Sequence, residues 1–267
     1  MTRTVRSDDG TEIAFETAGD GPPLILVSGA TGYRAISPSQ KQLAELLGVR
    51  FTVFTYDRRG RGESGDTQPY AVERELEDLG ALVAEAGGSA YAMGLSSGAV
   101  LVLDAAQAGV PIGKLVLYDP PFIVDDSRPP VPSDYVTRLN ELVGAGRRGD
   151  AGEFFLTRAV GVPAGAVAQM RTDPGWSVVE GVAHTLAYDG EIMGDMMSGR
   201  PLPADRWTAV TAPTLVINGG DSPRHMHTGS DALAALLPNA RRATLAGQDH
   251  SAEPAVIAPV LEEFFSD

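Results

Sequence analysis

The chain has 267 residues, no cysteine, four histidines and a formal net charge of −14. The lack of cysteine excludes disulfides, thiolate metal sites and cysteine nucleophiles. The acidic balance argues against nucleic acid or an anionic membrane surface as a partner. Any chemistry that needs an imidazole must draw on His184, His225, His227 or His250. The first residues carry no apolar core of a secretory signal, and no stretch reaches the roughly 18 apolar residues of a membrane span, so the expectation is a cytoplasmic protein.

The elements follow in chain order. Residues 2–7 and 11–18 alternate with the period of strands around Asp9-Gly10, a hairpin signal. Leu24-Ile25-Leu26-Val27 is a continuous apolar run that suits a strand covered on both faces, and it ends at Ser28-Gly29. A helix is predicted over 38–47, a buried strand over 51–56 and a helix over 71–86. Residues 89–93 read as a strand that runs into Gly94-Leu95-Ser96-Ser97-Gly98, followed by an almost wholly apolar helix over 99–108. Lys114 to Tyr118 is the next strand and ends at Asp119-Pro120-Pro121.

The alternation stops there. Between 121 and 210 the pattern predicts helical stretches near 132–146, 150–160, 163–171 and 174–188, in a segment rich in Met that holds both tryptophans. Strands then return at 214–218 and 241–245, with helices at 229–237 and 252–265. Strands alternating with helices specify a mostly parallel sheet with helices on both faces. The organisation is one α/β core, residues 1–120 and 211–267, interrupted by a helical insertion at 121–210.

Gly94-Leu95-Ser96-Ser97-Gly98 matches G-x-S-x-G. The pattern alone is weak, but here a buried strand runs into it and a buried helix leaves it, as a nucleophile on a sharp turn requires. The flanking glycines relieve backbone crowding, and the helix that follows directs N-terminal amides at a developing oxyanion. Ser97 is better placed to offer its backbone N–H than to attack. A serine nucleophile needs a base. His250 lies in a loop after a late strand and before the last helix, where parallel sheets place active groups. His225 and His227 read as solvated loop residues, and His184 falls inside the insertion.

Taken together, Leu24–Gly29, Asp57-Arg58-Arg59-Gly60-Arg61-Gly62-Glu63-Ser64, the Gly94–Gly98 turn, Ala212–Ile217 and His250 before the final helix resemble the α/β-hydrolase-fold superfamily over essentially the whole chain. The resemblance implies an eight-stranded, mostly parallel sheet and makes 121–210 a cap over the active site. It implies a Ser-His-Asp triad of Ser96, His250 and an acid. The family usually carries that acid in a Gly-x-x-Asp pattern after the seventh strand. Here Gly219-Gly220-Asp221-Ser222 puts Ser222 in that register and Asp221 one residue short. Some relatives carry the acid just after the sixth strand, where this chain has Asp119. Asp119 is the favoured acid and Asp221 the alternative. Ala30 and Ser97 are the implied oxyanion-hole donors, although the family commonly reads His-Gly where this chain reads Ser28-Gly29. Asp57 to Ser64 reads as a structural turn that holds the oxyanion loop.

These features imply a serine hydrolase acting on an ester, lactone or thioester of a small, fairly apolar molecule, with no cofactor and no metal. A lyase or cyclase, or a ligand-binding receptor, on the same fold are the alternatives.

Overall fold

A computed structural model describes residues 1–267. Eight strands, β1 (Arg3–Arg6), β2 (Glu12–Ala18), β3 (Pro23–Val27), β4 (Thr52–Tyr56), β5 (Ala90–Leu95), β6 (Ile112–Tyr118), β7 (Thr214–Gly219) and β8 (Ala240–Leu245), form one sheet in the order β1-β2-β4-β3-β5-β6-β7-β8. β1 and β2 pair antiparallel, as do β2 and β4, and every later pair is parallel. The ten helices are α1 (Pro38–Leu47), α2 (Val72–Glu85), α3 (Ser97–Gln107), α4 (Tyr135–Gly144), α5 (Arg148–Phe155), α6 (Ala164–Met170), α7 (Trp176–Val182), α8 (Leu186–Met193), α9 (Arg224–Leu236) and α10 (Pro254–Ser266). The fold is the α/β-hydrolase fold. No helix is long and apolar enough to cross a membrane.

The apolar run of β3 explains how the sheet is covered. Successive strand side chains point to opposite faces. Ile25 and Val27 pack with α2 and α3, among them Leu79, Leu82, Val100 and Leu103. Leu24 and Leu26 pack on the other face with Leu43 and Leu47 of α1 and Ile257, Leu261 and Phe265 of α10. A strand covered on both faces cannot alternate polar with apolar, hence the unbroken run.

Helices α4 to α8 lie between β6 and β7. The stretch expected as one helix over 174–188 divides into α7 and α8 around a 3-10 turn at Ala183–Thr185, and α8 continues to Met193. Thr185 Oγ1 donates to the Val182 carbonyl at 2.8 Å, a side-chain bond that competes with regular helix. A second difference lies at α9, which begins at Arg224 rather than near 229. Pro223 supplies its N-cap, a place where the missing proline N–H costs nothing. His225 and His227 therefore sit on the first turn of a helix, and His225 is buried.

Candidate active site

Ser96 stands between the end of β5 and the first residue of α3, with φ 57° and ψ −126°. A non-glycine residue with positive φ carries strain of about 1–3 kcal/mol and persists only where its surroundings hold it. Two backbone bonds do so: the Ser96 N–H donates to Tyr118 O at 2.9 Å, and the Ala99 N–H donates to Ser96 O at 3.0 Å. Two glycines admit the turn. A Cβ on Gly94 would stand 2.3 Å from Gly98 O, and one on Gly98 would stand 2.6 Å from both Val27 O and Ser28 O. The G-x-S-x-G spacing is thus a packing requirement of this turn.

Asp119 directly follows β6 and is fully buried, again with positive φ (46°). Its Oδ1 accepts from Asn218 Nδ2 at 2.6 Å, and its Oδ2 accepts from Ser222 Oγ at 2.6 Å. His250 Nδ1 lies 3.3 Å from the same Oδ2. Asp221 is exposed, and its backbone N–H donates to Gln248 O at 2.8 Å. The structure therefore brings Asp119, and not Asp221, to His250. The loop that carries His250 is held from two sides. Tyr118 Oη donates to Asp249 O at 2.5 Å, and Gly219 packs so close that a Cβ there would stand 2.5 Å from the carbonyl oxygens of Gln248 and Asp249.

The other three histidines occupy different settings. His184 Nε2 is 3.9 Å from Asp66 Oδ2. His227 Nε2 is 3.1 Å from Ser222 O, on the first turn of α9. His225, expected as a solvated loop residue, lies 3.5 Å from Arg128 Nη1. Burial, then the charges of Arg128 and His250, push its imidazole down to about 4.

Ser96 and His250 open onto one cavity of about 610 Å³. Ser28 to Gly32, Leu43, Met93 and Ile257 line it, and the segment between β6 and β7 adds Tyr135, Phe155, Leu156, Val160, Met193 and Met197. The lining is mostly apolar, with a few convergent polar groups, as in small-molecule sites. Ala30 and Ser97 line it beside Ser96, and neither of their N–H groups donates to an acceptor within the chain. Gly29 approaches Ser96 so closely that a Cβ would lie 2.8 Å from Ser96 Cβ.

The charged turn after β4 packs behind this loop. Arg61 Nη1 donates to Gly29 O at 2.7 Å, and Arg58 Nη1 to Ser28 O at 3.4 Å. The two arginines also meet Asp189 of α8. Burial raises the Asp189 carboxyl, but the Arg61 and Arg58 charges outweigh it and hold the group below the usual carboxylate range. Sequence reasoning missed Asn218, Ser222, Tyr118 and Asp189. Only Ser222 left a signal, since it occupies the register where the family usually places its acid.

A profile of the alpha/beta hydrolase family matches residues 24–260. Among solved structures, an alpha/beta hydrolase from Sphaerobacter thermophilus is 54% identical, with a TM-score of 0.90 over 98% of this chain and 100% of that one. A thermophilic esterase from Thermogutta terrifontis is 23% identical, with a TM-score of 0.74 over 100% and 98%. An enol-lactonase from Burkholderia xenovorans is 19% identical, with a TM-score of 0.71 over 99% and 100%. The last two likenesses concern the fold.

Proposed function

The chain belongs to the alpha/beta hydrolase family, and from that premise we propose that it is a serine hydrolase that cleaves an ester, lactone or thioester of a small, fairly apolar substrate through an acyl-Ser96 intermediate. One observation carries the reading: a strained Ser96 shares a cavity with His250, whose Nδ1 lies 3.3 Å from the buried Asp119 carboxylate.

In this mechanism Asp119 accepts the Nδ1–H of His250, which leaves Nε2 as the basic nitrogen. Asn218 and Ser222 donate to the two Asp119 oxygens and hold the carboxylate in place. His250 takes the Ser96 hydroxyl proton while Oγ attacks the carbonyl carbon. The tetrahedral oxyanion is met by the Ala30 and Ser97 N–H groups, which have no other acceptor in the chain. Collapse breaks the bond to the alkoxide or thiolate leaving group, which takes the proton from His250. A water, deprotonated by His250, then attacks the acyl-enzyme, and the acid product leaves as Ser96 regains its proton. The apolar lining from α4, α5 and α8 acts as a cap that holds the substrate's apolar part and excludes bulk water from the oxyanion.

The test is a fluorophosphonate that labels Ser96, paired with the Ser96→Ala variant on p-nitrophenyl acyl esters. Labelling at Ser96, with loss of turnover in the variant, is expected. Full turnover by the variant would overturn the mechanism. Solvent oxygen-18 in the acid product separates hydrolysis from a lyase or cyclase reaction on the same scaffold.

A further inference from the structure

Behind the oxyanion loop lies a buried ionic cluster that the triad does not use. Arg61 donates in three directions: Nη1 to Gly29 O at 2.7 Å, Nε to Thr185 Oγ1 at 3.0 Å and Nη2 to Asp189 Oδ2 at 2.5 Å. Arg58 donates Nη1 to Asp189 Oδ1 at 2.7 Å and clamps Glu75 with Nε and Nη2, both at 2.7 Å. Ser97 Oγ donates to Asp189 Oδ1 at 2.7 Å. All of these groups are buried. Two guanidiniums face two carboxylates, so the cluster is neutral and sets no net charge beside a developing oxyanion.

A trans peptide places its C=O and the following N–H on opposite sides. The Arg61 bond to Gly29 O therefore fixes the direction of the Ala30 N–H. The Asp189 bond to the Ser97 hydroxyl fixes the other donor residue at the start of α3. Both anchors converge on one side chain of α8. Thr185 and Asp189, four residues apart, lie on one face of that segment and meet the same arginine.

We propose that Asp189 is a positioning residue: through Arg61 and Ser97 it couples the seating of the α8 segment to the aim of the two oxyanion-hole N–H groups, so that the hole is formed only when the cap is docked. This inference rests on the acyl-Ser96 reading above. It goes beyond that reading in giving a cap residue control over the chemical step and not only over substrate binding.

The test compares wild type, Asp189→Asn and Thr185→Val on p-nitrophenyl butyrate, with fluorophosphonate labelling of Ser96 measured in parallel. Asp189→Asn keeps the shape but removes the charge shared by two arginines. It is expected to lower kcat about 10- to 100-fold, short of or equal to the loss of one oxyanion donor, with KM within about threefold and a matching fall in labelling rate. Thr185→Val removes the hydrogen bond from Arg61 Nε together with the one to Val182 O, and is expected to lower kcat several-fold in a folded protein. A folded Asp189→Asn enzyme with unchanged kcat and labelling, or with KM alone raised, overturns the coupling. Where Asp189→Asn fails to fold, Thr185→Val decides alone, and an unchanged kcat overturns it. Failure of the underlying reading has a different signature, an unlabelled wild-type Ser96 with turnover retained in Ser96→Ala, and it overturns both.

Discussion

The Ser222 hydroxyl donates to Asp119 Oδ2 at 2.6 Å, and that same oxygen lies 3.3 Å from His250 Nδ1. Through Ser222 the loop after β7 thus meets the same carboxylate oxygen that faces the imidazole, and position 222 is where a carboxylate on that loop is tested as a partner for His250. Asp119→Asn is expected to lower kcat by about 10³ to 10⁴, because the tautomer and charge of the imidazole lose their partner. Adding Ser222→Asp to that variant is expected to recover at least about tenfold of the loss. Steady-state kinetics on an activated ester measures both. A double variant no faster than Asp119→Asn would show that position 222 cannot orient His250.

The same region shows what the sequence could and could not disclose. The parallel sheet, the Ser96 turn and the His250 loop were legible because each depends on local chemistry: an unbroken apolar run, glycines at fixed spacing, a polar residue between strand and helix. The partner of His250 was not fixed by any local rule. Asp119 and Asp221 both follow a strand, and only the tertiary packing buries one and exposes the other. Asp189 was illegible for the same reason. It belongs to a helix whose start is set by Thr185 turning its hydroxyl onto the Val182 carbonyl, and its partners Arg58 and Arg61 are more than 120 residues away. The early start of α9 was missed because Pro-Arg-His-Met-His is polar in composition, although a proline at a helix start is favourable and His225 and Met226 turn inward.

Two glycines make opposite predictions for one substitution. A Cβ at Gly98 would press on the carbonyl oxygens of Val27 and Ser28, both at 2.6 Å, and neither backbone can yield without moving the oxyanion loop. Gly98→Ala is expected to lower the melting temperature by several degrees and to lower kcat with it. Gly80 lies inside α2 with nothing within 4 Å of an added Cβ. Gly80→Ala is expected to stabilise by about 0.5–1 kcal/mol through reduced backbone entropy of the unfolded chain, with activity unchanged. Thermal unfolding followed by circular dichroism measures both shifts.

His225 makes stability depend on pH. Burial and the nearby charges of Arg128 and His250 hold its imidazole near 4 in the folded chain, against about 6.5 when unfolded. Between those values the unfolded state binds more protons at this position, so stability falls as pH falls from about 6.5 toward 4. His225→Gln removes that titration. Urea unfolding at pH 7 and pH 5 should show a smaller loss of stability in the variant than in wild type. Equal losses would place the acid sensitivity in other groups.

Val160 lies at the end of the short π-helical turn Leu156–Val160, lines the cavity beside Leu156 and Ala159, and is 46% exposed. It stands where the cavity meets solvent, so a larger side chain there costs little in core packing but narrows the space left for a substrate's apolar part. Val160→Trp is therefore expected to leave the melting temperature within a few degrees of wild type. It should lower kcat/KM for octanoyl esters about tenfold more than for acetyl esters, since each methylene in an apolar pocket is worth about 1–3 kcal/mol. A series of p-nitrophenyl esters of increasing chain length measures the change directly. An unaltered chain-length profile would mean that the acyl chain does not pass this rim, and would direct it instead toward Leu43, Met93 and Ile257.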